Sequence, residues 1–579
     1  GLGYDADDNE IHTIKWMPHR SQAHSRGGIE IELNAPNGKG LLFGQNVAPT
    51  NENSIMNTIE LPEYANSPGH IIFDGGKQKS FKFVLNSGSD VHGAAFFLSK
   101  GSHDITVRNC IINNNTNALE NRTKLPLVKY VGTEYIWEAD STGSGSNKDG
   151  YSAGIVSRDY LIKKEELSEN DVIFTMDTVQ NSNNVFENNE IRGFGYGIVS
   201  FGLGALYDPA EDVNTYVRFY NENTNISGNI ISDVARAGIV LGFEENASVH
   251  NNRIYDISGD YDASGILAGG QGFGTFDGYN NIGLNINGNE ISDLSADEYV
   301  SGIRVEQDRI AYQGISGGQI YFPDIAENTI VSNNIVRNLS SNDGSAGISG
   351  IHLMTRRNLQ KTGWDMIIDP DEDNYFTRED KVVNNTVIIS DENSSSNDSP
   401  VAGIAVQNAK DAMLYNNAIM FDGNNFSSES PATAAVFYQG INPDNGGVNS
   451  DRNVYWLGDA NATIFRFVET GTHGDIVELG SRDEYKTLNQ WRQWTGADMN
   501  SVVGDFSDDL TYIGNDPYKL RINDEPTPPE GSLLNNRGEK LNFVSEDIEG
   551  NQRGASGERY DIGAFEFDGI MYVSDIELM

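Results

Sequence analysis

The chain is short of cysteine, of basic residues and of long apolar runs, and each shortage removes a class of protein. Among 579 residues there is one cysteine, Cys110, so no intrachain disulfide can form. The core must therefore hold without covalent staples. Cys110 lies in the run Val107-Arg108-Asn109-Cys110-Ile111-Ile112, the setting of a small buried hydrophobe rather than of a nucleophile. Lys and Arg number 40 against 84 Asp and Glu, for a formal net charge of −44. Such a field excludes nucleic acid and anionic membrane as partners and draws in divalent cations. No apolar run is long enough to span a bilayer, so membrane insertion is not expected, and no signal peptide is visible. Aromatic residues make up 10% of the chain, which separates it from acidic disordered sequences.

What is present is a repeat. The motif Asn-x-Ile/Val occurs at Asn109–Ile111, Asn189–Ile191, Asn229–Ile231, Asn252–Ile254, Asn289–Ile291, Asn334–Val336, Asn385–Val387 and Asn417–Ile419. A Gly-Ile pair follows most of them, at Gly197, Gly238, Gly265, Gly302, Gly350 and Gly403. Constant short branched strands separated by variable Asn-, Asp-, Gly- and Ser-rich loops are the pattern of a coiling chain, which escapes the usual size limit by growing along one axis. Asn tolerates left-handed backbone geometry. Stacked at one corner of successive coils, its amides would form a ladder that satisfies the turn. Asn189, Asn229, Asn252, Asn289 and Asn334 are predicted to hold equivalent corners.

The segments Asn109-Cys-Ile-Ile-Asn-Asn, Phe186-Glu-Asn-Asn-Glu-Ile and Leu414-Tyr-Asn-Asn-Ala-Ile resemble coils of right-handed parallel β-helix repeat proteins, over roughly residues 70–455. Ile72-Phe-Asp-Gly-Gly-Lys-Gln-Lys79 resembles an early coil of that group. Asp547-Ile-Glu-Gly-Asn-Gln-Arg553 with Asp561-Ile-Gly-Ala-Phe-Glu-Phe567 resembles the closing segment of bacterial surface β-helix proteins, many of them from Bacteroidetes. Those proteins often carry a cell-surface anchor or a C-terminal (type IX) secretion signal beyond this point. The resemblance implies an all-β solenoid located outside the cell or on its surface. It specifies activity poorly, because this fold carries lyases, hydrolases, adhesins and fibres alike.

The expected organisation is an irregular N-terminal edge or partial cap over 1–70 and a parallel β-helix over 71–455 with insertions near 121–180 and 355–382. C-terminal coils and a cap follow over 456–567, and 568–579 reads as a linker or the start of another module of a longer parent protein. Ser481-Arg-Asp-Glu484 reads as a capping box, followed by Tyr485, Leu488, Trp491 and Trp494, with Gly496 as the stop of a short covering helix.

Candidate chemistry comes from strand alternation. If each Ile of Gly-Ile points inward, the next residue points out. That outward series is Val199, Val240, Leu267, Arg304, His352 and Ala405. Two residues on come Phe201, Gly242, Gly269, Glu306, Met354 and Gln407. Arg304, Glu306, Asp308, His352 and Arg356 thus form the polar stretch, expected as a solvated, salt-bridged face. As a catalytic set, His352 with Arg304 or Arg356 would suit a lyase, which needs a base and a cation for the uronate carboxylate. Glu306 with Asp308 would suit a glycoside hydrolase. Asp369, Asp371, Asp373 and Asp380 alternate as in a calcium loop, making Ca²⁺ the one cofactor the sequence points to. The nine histidines show no metal-ligand spacing. The reading that follows is a non-catalytic surface protein, an adhesin or stalk segment. A polysaccharide-active enzyme and a carbohydrate-binding module, each with a glycan partner, are the alternatives.

Overall fold

The structure is a computed structural model. It describes residues 2–4, 10–12, 14–19, 25–34, 39–43, 69–86, 93–98, 101–115, 129–131, 134–136, 152–158, 165–168, 171–173, 180–202, 204–207, 216–259, 262–269, 281–297, 299–308, 310–313, 319–321, 328–341, 347–356, 379–390, 401–407, 409, 412–421, 433–439, 447–458, 463–470, 479–512, 520–522, 532–554 and 559–567. Two compact units are present. The first comprises Gly1–Leu284, Leu294–Tyr299 and Ile303–Glu327; the second comprises Asn285–Asp293, Val300–Gly302 and Asn328–Met579.

Both units are parallel β-helix. In each, successive coils lay one strand on each of three parallel sheets. The first unit enters its sheets with Ile14–Trp16, Ile29–Asn34 and Lys39–Phe43, which pair in parallel with Gly69–Asp74, Phe81–Asn86 and Gly93–Leu98. Coiling therefore begins inside the stretch expected to be only an irregular edge. Ser152–Arg158, inside the expected insertion over 121–180, is likewise a third-sheet strand, paired with Gly93–Leu98 and Tyr196–Phe201. Short antiparallel ribbons, Lys129–Val131 with Glu134–Ile136 and Glu165–Ser168 with Asp171–Ile173, flank it. Among the described residues no helix is long and apolar enough to cross a membrane.

The corner between first and second sheets explains the Asn motif. One residue there adopts left-handed geometry: Asn109, Asn188, Gly228 and Asn251 in the first unit, and Gly288, Asn333, Asn384, Asn416 and Arg452 in the second, with φ between 52° and 68°. Except after Asn109, the next residue is a buried asparagine. Asn189 donates its backbone N–H to Asn229 Oδ1 at 2.9 Å, and its side-chain N–H to Val107 O at 2.8 Å. Asn229 repeats this toward Asn252 Oδ1 (3.0 Å) and Phe186 O (2.8 Å). In the second unit the same links run Asn289 to Asn334, Asn385, Asn417 and Asn453. In each unit one end of the column is where the amide is replaced. Ser501 Oγ accepts from Asn453 N at 2.9 Å, and Cys110 donates its N–H to Asn189 Oδ1 at 3.0 Å. The true equivalent of Asn189 is thus Cys110, and the Asn109 match is one residue out of register. Burial pushes the Cys110 thiol up to about 12, so it stays protonated.

The Gly-Ile motif has a steric cause. A Cβ on Gly238 would lie 2.5 Å from Ile254 Cγ2 and 2.7 Å from Gly265 O. A Cβ on Gly350 would lie 2.2 Å from Val387 Cγ1 and 2.6 Å from Gly403 O. The glycine of one motif therefore makes room for the branched residue of the other, in the following coil.

The second unit closes in two ways. One α-helix, Leu488–Thr495, covers an end of the core; its Trp491 stacks on Phe465 (4.5 Å) and Tyr438 (5.1 Å) and donates to the buried Asp498 carboxylate at 3.2 Å. Thr487 and Gln490 form the capping box, and Gly496 at φ 73° is the C-cap. Ser481–Glu484, expected to start the helix, instead belong to Leu479–Lys486, antiparallel to Phe465–Thr470. The ladder of that pairing overrides the capping pattern. The second closure is a strap over 532–567 that lies along the outer faces of the coils. Leu534, Ile562, Phe565 and Phe567 pack on Ile335, Ile388, Met420 and Val454. Arg553, fully buried, donates to Asn333 Oδ1 (2.6 Å) and Gly563 O (2.9 Å) and pairs with Glu566 at 3.3 Å. The sequence resembling a closing segment is this strap.

Asn229→Ala removes the acceptor for one buried N–H and the donor for one buried carbonyl. Each orphaned group costs about 1–3 kcal/mol. A loss of roughly 3 kcal/mol is expected from the urea unfolding midpoint, and an unchanged midpoint would contradict the ladder's energetic role.

Candidate functional site

The outward residues Arg304, Glu306 and His352 of the third sheet are buried, which corrects the expectation of a solvated face. In the first unit Val156, Val199, Val240 and Leu267 share one cluster with Phe97, Tyr196, Phe201, Tyr220 and Phe243. The charged groups are paired. Arg236, 4% exposed, grips Asp262 through Nε (2.5 Å) and Nη2 (3.2 Å) and donates to Tyr196 Oη at 3.2 Å. Arg304 and Glu306, at 4% and 1% exposure, form an ion pair of 2.7 Å. A guanidinium held this way has its charge matched by a neighbour in low dielectric, which favours a structural role over capture of a uronate.

Glu244 is the unusual carboxyl of the first unit. It interrupts a column of corner amides in which Asn181 N donates to Asn221 Oδ1 at 3.1 Å and Glu244 N donates to Asn281 Oδ1 at 3.0 Å. Its own Oε1 accepts from Ser200 Oγ (2.6 Å) and Asn221 Nδ2 (2.9 Å). Burial raises its pKa from 4.5 to about 7, against the pull of those donors.

In the second unit the outward groups form two rows. One row, in register, is His352, Ala405, Phe437, Arg466 and Tyr485. The other is Met354, Gln407, Gln439 and Val468. His352 Nε2 contacts Gln407 Oε1 at 2.5 Å, and Gln407 Nε2 donates to Gln439 Oε1 at 2.5 Å. The Arg466 guanidinium lies 5.5 Å from the Phe437 ring and 5.4 Å from the Tyr485 ring, within cation–π range of both. His352 is 8% exposed, whereas Gln407, Gln439, Arg466 and Tyr485 are half-buried. Together they offer amide donors and acceptors, one guanidinium and an aromatic face on a rigid sheet.

Of the sequence candidates, Arg304 and Glu306 meet, and His352 joins the glutamine row of its own unit. The side chains of Asp308 and Arg356 lie outside the described residues, as do Asp369, Asp371 and Asp373 entirely. Asp380 is fully buried, and its Oδ1 accepts the backbone N–H of Thr329 at 3.1 Å, so it serves a coil corner. Gln407 appeared in the outward series without being singled out, and Gln439 was missed because Ala435 replaces the glycine of the motif in that coil. The Gln that recurs at the same strand position in the next coil was the available signal.

No protein family matches the chain. No curated protein matches it either. Solved structures similar to it include the following two. One is the complex structure of XylC with xylose, 10% identical, covering 87% of this chain and 65% of that one, with a TM-score of 0.36. The other is the A-module of the mannuronan C-5 epimerase AlgE6 of Azotobacter vinelandii, 10% identical, covering 70% of this chain and 73% of that one, with a TM-score of 0.32. The chain thus spans 65% of the length of the XylC chain.

Two outcomes test these assignments. Glu306→Gln strips the buried Arg304 of its counter-charge and is expected to destabilise the fold by about 3 kcal/mol in chemical unfolding. For Glu244 the folded pKa lies above the unfolded one, so its contribution is greatest below pH 4.5, falls as pH rises, and is lost above about 7. Glu244→Gln should match the wild type at the acid end and exceed it by roughly 3 kcal/mol above neutrality. A difference independent of pH would contradict the assignment.

Proposed function

We propose that this is a secreted or cell-surface polysaccharide-binding β-helix that recognises its glycan through the outer third-sheet face of the second unit. The observation that carries the reading is the hydrogen-bonded row His352–Gln407–Gln439 beside the Phe437–Arg466–Tyr485 stack. Amides bind sugar hydroxyls as paired donor and acceptor, rings cover the apolar faces of pyranoses, and a guanidinium takes a carboxylate bidentately. A rigid strand row repeats these groups along the coil axis, as an extended chain ligand requires.

Binding without turnover suits the described groups. Arg304 pairs with Glu306, and His352 Nε2 meets the Gln407 amide, so both groups are engaged with neighbouring side chains.

The test is a panel of acidic and neutral polysaccharides in affinity electrophoresis and calorimetry. Gln407→Ala and Arg466→Ala are each expected to weaken binding about tenfold, the equivalent of roughly 1.4 kcal/mol. Thermal unfolding should stay close to wild type. Binding that survives both substitutions would place the ligand elsewhere. Unsaturated or reducing-end products, abolished by His352→Ala, would establish a lyase or hydrolase instead.

A further inference from the structure

We propose that His70, His103 and Asp104 form a binding site for a divalent transition-metal ion of the zinc, nickel or copper type on the first sheet of the first unit. The site arises from the coil register. Gly69–Asp74 and His103–Arg108 are neighbouring parallel strands, with Gly69 opposite His103 and Ile71 opposite Ile105. His70 and Asp104 therefore occupy the same left-handed kink in successive coils, at φ 57° and 52°. Later coils place Asn183, Asn223 and Asn246 there, also left-handed, and Asn223 Nδ2 donates to Asn183 Oδ1 at 3.1 Å. Asparagine satisfies this corner. The kink alone does not call for a histidine followed by an aspartate, nor for a second histidine beside them.

The three side chains converge. His103 Nδ1 lies 2.9 Å from Asp104 Oδ2, and His70 Nδ1 lies 3.6 Å from the same oxygen. The two imidazoles meet edge to face with centroids 5.2 Å apart. One ligand atom from each residue lies within 4.8 Å of the other two. The His103 ring rests on Gly69, where a Cβ would come within 2.4 Å of its Cε1. Any larger residue there would displace the ring.

The donor set selects the ion. Two imidazole nitrogens and one carboxylate oxygen suit zinc, nickel or copper, whereas calcium prefers oxygen alone. Bonds of about 2.0–2.2 Å to one ion need small shifts of these donors. The side chains, at 35%, 30% and 38% exposure, have the freedom to make them. Three protein ligands leave a coordination position for water or an incoming group. The net charge of −44 raises the local concentration of any cation.

The experiment uses the full chain, stripped with a chelator and dialysed. Zinc and nickel are titrated calorimetrically in excess calcium, which occupies non-specific carboxylate sites, and cobalt is followed by its visible d–d absorption. One equivalent of zinc is expected, with cobalt bands typical of nitrogen and oxygen ligation. His70→Asn, which installs the residue of the later coils, and His103→Gln should each weaken binding roughly tenfold or more, with the circular dichroism spectrum retained. Asp104→Asn supplies a third variant if either histidine change impairs folding. Absence of stoichiometric binding in calcium, or binding unchanged in the folded variants, overturns the proposal.

Discussion

A coil that turns sharply must bury backbone N–H and C=O groups at its corner, and no neighbouring strand is placed to take them. In this molecule the side-chain amide of asparagine meets that demand. Its oxygen accepts from one coil while its nitrogen donates to a carbonyl, as between Asn229, Asn189 and Phe186. Each rung depends on the next, and the left-handed residue before it sets the direction in which the chain leaves the corner. The three sheets follow from this repeated bend, and the glycines of the third sheet follow from the branched side chains that the bend aims inward.

Once corners are fixed in this way, variation moves to the loops and to the outer faces. The outer face of the third sheet carries hydrophobic cover and charge pairs in the first unit and an amide and aromatic row in the second. The interior of both is built from the same branched residues. Recognition chemistry can therefore change from coil to coil while the frame stays the same, because a strand residue pointing outward makes no demand on the ladder.

The frame was legible in the sequence because it depends on local pairs of residues: Asn188-Asn189, Asn251-Asn252 and Asn384-Asn385 each state a left-handed residue followed by a rung. The register slip at Cys110 was not legible, because a thiol in the rung position leaves no amide to recognise. The helix start was misplaced for a different reason. Ser481–Glu484 and Thr487–Gln490 carry the same capping spacing, and only strand pairing with Phe465–Thr470 distinguishes them. The burial of Arg304 and His352 depends on what covers the outer face, which no local pattern records. His70 and His103 stand 33 positions apart in sequence, and only the length of one particular coil makes them neighbours.

The strap over 532–567 sets an order of events for the second unit. Coils form from contacts a few tens of residues apart and can assemble as the chain is supplied. The bond from Arg553 to Asn333 spans 220 positions and must wait for the last part of that unit. Until then Ile335, Ile388 and Val454 lack the cover that Leu534, Ile562, Phe565 and Phe567 supply. A chain delivered from its N-terminus would stay adhesive along this flank until residues 532–567 arrive. Truncation before residue 532 would then leave a stack of coils with an open side, prone to join a second copy.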